Sequence, residues 1–104
     1  MNSGKVNRVN IKAETWIEIF SEELKISKKS KTLAKRILEI GGRELLRSGA
    51  PSTNAAAVLY LACKKNKENL TVKTIAAVAK KTSGTIGSAI QSISLILEKK
   101  GHQL

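Results

Sequence analysis

The run Ala55-Ala56-Ala57-Val58-Leu59-Tyr60-Leu61-Ala62-Cys63 contains no charged residue, and its only polar atoms are the Tyr60 hydroxyl and the Cys63 thiol. Gly49 and Pro51 stand just ahead of it. Glycine suits the position past a helix end and proline the first turn of a new helix. The run therefore lies in a helix from about residue 51 to 65. A helix that is apolar on every side leaves no face for water and has to be surrounded by protein. The apolar stretch is also far short of the roughly 20 residues that cross a bilayer. Other helices must wrap around this one.

The rest of the chain supplies them. Ala13, Trp16, Ile17, Phe20 and Leu24 recur at three- and four-residue steps, which predicts a helix over 13–25 with Glu14, Glu18 and Glu22 on its far side. Leu33, Ile37, Ile40, Leu45 and Leu46 form the stripe of a second helix over 30–47, capped by Ser27 or Ser30, with Lys31, Lys35, Arg36, Arg43 and Arg47 outside. Gly41-Gly42 in its interior marks either a bend or a close approach of another backbone. Close approach is the favoured expectation, because the next helix is rich in alanine. Thr71 caps a short fourth helix carrying Ile75, Ala76, Val78 and Ala79. Thr82 or Ser83 caps a fifth, with Ile86, Ala89, Ile90, Ile93 and Leu97 on one face. Glu98-Lys99-Lys100-Gly101 ends it, with cations at the negative end of the helix dipole. No strand-like alternation occurs, so the fold class is all-α with five helices and a central third. Residues 1–12 have no helical period and read as a flexible basic leader, although Val6, Val9 and Ile11 could dock on the domain. The domain spans 13–100, and 101–104 form a tail.

At 104 residues the chain suits one domain. Trp16, Phe20 and Tyr60 are its only aromatics, so Leu, Ile, Val and Ala must build the core. Cys63 is the single cysteine, which precludes an internal disulfide and fits a reducing, intracellular compartment. The first residues lack the apolar stretch of a signal peptide. There are 19 Lys and Arg against 8 acidic residues, and the excess is uneven. Residues 1–26 balance at four against four, whereas 27–67 carry ten basic groups and two acidic ones. Such clustering points to neutralising phosphates more than to mere solubility.

Catalysis needs converging nucleophiles, acids, bases or metal ligands, and none is legible. His102 is isolated near the end, and Cys63 sits within the apolar helix as a small hydrophobe. Neither Gly41-Gly42 nor Gly84-x-x-Gly87 follows a strand as a phosphate loop would. The expectation is no enzyme, no catalytic residue, no cofactor and no metal.

Residues 71–97 carry the binding signal. Two short amphipathic helices joined by a tight turn can form a helix-turn-helix, whose second helix offers its outer face to a major groove. Ile75, Ala76 and Val78 would meet Ile86, Ile90 and Ile93. The outer face would present Ser83, Gly84, Thr85, Gly87, Ser88 and Gln91, with Thr82 at its start and Lys73, Lys80 and Lys81 flanking it to hold phosphates. Glutamine can pair with adenine. The alternative is a plain helix pair inside a bundle.

The stretch Gly49-Ala50-Pro51, followed by Asn54 to Cys63, Thr71 to Ala79 and Thr82-Ser83-Gly84-Thr85-Ile86, resembles a cyclin repeat of transcription factor IIB and of its archaeal counterpart, transcription factor B, most closely the C-terminal repeat. The resemblance covers about residues 13–98. It implies a five-helix cyclin-like domain with a C-terminal helix-turn-helix that contacts double-stranded promoter DNA beside the TATA element. It also implies the TATA-binding protein and the RNA polymerase machinery as partners, in the nucleus of a eukaryote or the cytoplasm and nucleoid of an archaeon. This chain departs from the family at Gly87, Ser88 and Ala89, where arginines are usual, and at Lys81, where the turn usually holds an apolar residue. It carries no cysteine pairs at zinc-ribbon spacing. A cyclin-like protein-interaction module without sequence-specific DNA binding is the competing reading.

Overall fold

The computed structural model describes residues 12–47 and 49–102. Most of the expected leader, residues 1–11, and the last two residues of the tail lie outside this set, as do the side chains of Leu46 and Arg47. The described residues form five α-helices: α1 (Ala13–Leu24), α2 (Lys28–Arg47), α3 (Pro51–Lys65), α4 (Val72–Ala79) and α5 (Ser83–Lys99).

Helix α3 is the hub that its composition requires. Every residue from Thr53 to Cys63 is buried except Tyr60, which is half-buried. It is also the one helix that packs against all four others. The remaining contacts run α1 to α2, α2 to α5, α5 to α4 and α4 back to α1, a closed ring around the hub. The alanines let the ring close tightly: Ala55, Ala56, Ala57 and Ala62 have no exposed surface and sit among Ile17, Ile37, Ile75, Ile86 and Ile93. Trp16 and Phe20 add a tilted ring pair on α1, with centroids 5.3 Å apart.

The Gly41-Gly42 pair is a bend, which corrects the expectation of a close approach by the alanine-rich helix. Gly42 has φ 57 and ψ −142, so α2 is two helical pieces that meet at a kink. A side chain at Gly41 would collide with the Leu45 side chain, from which a Cβ would stand 2.3 Å. The kink folds Leu45 back over Gly41 and into the core, where Leu45 is fully buried. No helix among the described residues is long and apolar enough to cross a membrane.

Helix ends account for most of the special backbone. The N–H of Lys80 reaches Ala77 O at 3.2 Å and that of Lys81 reaches Ala76 O at 2.9 Å, closing α4 with a Schellman motif around left-handed Lys80. The same double closure ends α1 around Lys25 and α3 around Lys67, and both of these lysines are also left-handed. Helix α5 uses the conformationally easier residue, Gly101, for this purpose.

Candidate nucleic-acid interface

Helices α4 and α5 are joined by Lys80, Lys81 and Thr82 alone. Their facing sides are apolar: Ile75, Ala76 and Ala79 on α4 and Ile86 on α5 are buried, and Val78, Ala89 and Ile90 are half-buried. The two starts are built alike. The Thr71 hydroxyl accepts the Thr74 N–H at 3.1 Å and donates to the Thr74 hydroxyl at 2.9 Å. The Thr82 hydroxyl does the same with the Thr85 N–H and hydroxyl, at 3.1 and 2.9 Å. Each threonine satisfies one of the amides that a helix start leaves without an acceptor.

The nine candidate residues fall as follows. Lys73, Lys80, Thr82, Ser83, Thr85, Ser88 and Gln91 are exposed, and Lys81 and Gly87 are half-buried. They line the turn, the start of α4 and the outer side of the first half of α5. Thr82 is occupied as a cap, so the Thr85 hydroxyl proton is the one left to donate outward. The amides of Ser83 and Gly84 stand at the open start of α5, where a helix dipole favours an anion. The glycines of this helix are not packing devices. A side chain at Gly87 would meet nothing within 4 Å, and one at Gly84 would reach only the Thr82 hydroxyl at 3.9 Å. They leave the outer face low and open.

Away from this face, Glu68 ties two distant stretches together. Its carboxylate accepts from the Ser30 hydroxyl, from the Ser27 hydroxyl at 2.9 Å and from the Ser27 N–H at 3.4 Å. Ser27 in turn caps α2 by accepting the Ser30 N–H at 3.2 Å, and Asn66 donates to the Ser30 hydroxyl at 2.9 Å. The hydroxyl of Ser30 first, and then the contacts from Ser27, hold the Glu68 carboxyl below its ordinary range. Burial and the neighbouring Glu68 charge push the Cys63 thiol up to about 11, so it is neutral and a poor nucleophile at pH 7. Sequence alone did not show this knot. Its partners lie 38 and 41 residues apart, and no periodicity links them. On the other side, Lys35 and Lys31 grip the exposed Glu18 carboxylate, fastening α1 to α2 and lowering its pKa.

A groove of about 490 Å³ runs between the ends of α3 and α5, lined by Leu61, Lys64, Lys65, Leu97, Glu98 and His102 among others. No group of three metal-binding side chains occurs among the described residues.

A hub helix ringed by four others, closing on a short helix pair at the end of the described residues, defines a five-helix, all-α domain. The model of the family "Transcription factor TFIIB repeat" matches residues 6–94, and the chain belongs to that family. No curated protein and no solved structure matches it. The family is one of transcription factor domains of cyclin-like, all-α fold, not of enzymes.

Proposed function

We propose that this domain binds promoter DNA beside a TATA element, with α4 and α5 acting as a helix-turn-helix and the TATA-binding protein and the polymerase machinery as partners. The observation that carries the reading is the outward face of the turn. Lys80 and Lys81 precede the open start of α5, where the amides of Ser83 and Gly84 lie beside the Thr85 hydroxyl, and Lys73 stands exposed at the start of α4. Lysines and helix-start amides are phosphate ligands, and they fix position on a duplex without reading sequence. Gly87 and Ser88 let the duplex backbone come close, and Gln91 is the one long side chain of this face suited to a base edge. With glycine, serine and alanine at 87–89, phosphates supply most of the affinity and sequence preference is weak.

The test is a gel-shift series with TATA-containing duplex, with and without the TATA-binding protein, at rising salt. Binding should fall steeply as salt rises. Lys80→Ala with Lys81→Ala should weaken binding to every sequence alike, and Gln91→Ala should change only the preference among sequences. The small, arginine-free start of α5 favours a second reading, a cyclin-like module that docks on an acidic protein. Absence of DNA binding both alone and with the TATA-binding protein would leave that module standing.

A further inference from the structure

The knot around Glu68 does more than join α2 to α3. It brings the stretch that carries Lys25, Lys28 and Lys29 beside the stretch that carries Lys64, Lys65 and Lys67, so six lysines from two separate parts of the sequence border one junction. All six are exposed. Among the described residues none of the six forms an ion pair, whereas Lys31, Lys35 and Lys100 each do. Glu68, next to Lys67 in the chain, has its carboxylate turned onto Ser27 and Ser30, and Glu98 shares a groove with Lys64 and Lys65 without pairing to them. Glu22 and Glu23, in the last turn of α1, border the cluster on one side.

Local preference opposes this arrangement. Lys28 and Lys29 stand in the first turn of α2, where the dipole disfavours cations and the helix itself supplies no acid, while the Glu68 carboxylate that meets this turn is taken up by Ser27 and Ser30. Lys25 and Lys67 take left-handed backbone that glycine adopts more easily. Four lysines thus hold positions that helix chemistry alone would give to other residues. Among the described residues the exposed large hydrophobics, Ile19 and Leu95, lie elsewhere, on α1 and α5. A protein partner would look for apolar anchors. A phosphate backbone needs only cations, and compact lysine charges serve it well.

We propose that this cluster is a second phosphate-binding surface, gripping the DNA backbone at a point separate from the α4–α5 face. The proposal rests on the DNA-binding reading above. Lys67 and Lys73 are six residues apart, so chain reach keeps these two lysines, one from each surface, within about 20 Å. That is less than one turn of duplex, about 34 Å. One duplex can therefore meet both surfaces.

The experiment titrates the full chain against a labelled promoter duplex of about three helical turns, from about 50 to 200 mM salt. It compares the natural protein with Lys28→Gln/Lys29→Gln/Lys64→Gln/Lys65→Gln and with Lys80→Gln/Lys81→Gln, with thermal melting to show that each is folded. The left-handed Lys25 and Lys67 are left in place. The fourfold variant should lose roughly tenfold or more in affinity, and its slope of log affinity against log salt should be shallower by about two to four, near one for each lysine lost. If that variant binds as the natural protein does while Lys80→Gln/Lys81→Gln is weakened, the second surface is overturned and the α4–α5 reading stands. If the fourfold variant alone is weakened, the cluster stands and the α4–α5 reading falls. No binding by the natural chain at the lowest salt overturns both. Polyglutamate that binds more tightly than duplex, and is lost from the fourfold variant, overturns the proposal in favour of an acidic protein partner.

Discussion

Replacing Lys80 separates the backbone and charge roles of a single residue. Lys80 closes α4 at φ 59 and ψ 43, and its amide and that of Lys81 satisfy Ala77 O and Ala76 O. Left-handed backbone costs an L-residue about 1–2 kcal/mol, and glycine gives back about 0.5–1 kcal/mol through the greater freedom of its unfolded chain. Lys80→Gly should therefore raise stability by a net of about 0.5–1 kcal/mol, or roughly 2–8 °C in Tm for a domain of this size. The lysine charge near the negative end of the α4 dipole is also lost, so melting is best followed at moderate salt, where that contribution is screened. Lys80→Ala removes the same charge and keeps the unfavourable backbone, so it should gain nothing. Both variants should bind promoter duplex more weakly, with a salt slope shallower by about one. If Gly and Ala melt at the same temperature, the left-handed closure of α4 is wrong. If Lys80→Gly is stabilised but binds DNA as before, Lys80 does not meet a phosphate.

Three further outcomes follow from the same geometry. Gly42→Ala forces an L-residue into φ 57, ψ −142 and should destabilise the domain by about 1–3 kcal/mol; an unchanged urea midpoint would show that the bend is dispensable. Gly84→Ala and Gly87→Ala place methyl groups in open space and should each add about 0.5–1 kcal/mol of stability, yet weaken DNA binding if the duplex comes close to this face, which melting and gel shift can read on one sample. Glu68 has a native pKa below its ordinary 4.5, so its contribution is present above that pH and is lost as pH falls below it. The gap in melting temperature between the natural chain and Glu68→Gln should be full at pH 7 and shrink as the pH is taken down through the acid range; a gap that does not change with pH would rule out the carboxylate as the source.

The ring around α3 was legible because it rests on local patterns. An apolar run without a polar face demands surroundings, and the three- and four-residue steps of α1, α2 and α5 supply them. The cap at Thr71 was legible for the same reason, and the second was narrowed to Thr82 or Ser83, of which Thr82 is the cap, since each acts within three residues. The outer face of α5 could be named residue by residue because the apolar side fixes the rotation of the helix. The bend at Gly42 was not legible: a glycine pair in a helix fits both a kink and a close contact, and tertiary packing of Leu45 decides between them. The lysine cluster was visible only as a surplus of charge in residues 27–67. Its convergence depends on Ser30 and Glu68, whose pairing leaves no trace in spacing. Left-handed lysines were hidden too, because sequence signals for a helix stop favour glycine.

The stitch from Glu68 to the start of α2 makes the segment between α3 and α4 a fastening for a helix that begins some forty residues upstream. That exposed stretch is where a protease would nick. A cut there would free the carboxylate, leave Ser27 and Ser30 without it, and let the opening turn of α2 fray under the mutual repulsion of Lys28 and Lys29. Damage at one loop would be felt first at another, and faster amide exchange would appear in α2 before the hub helix opened.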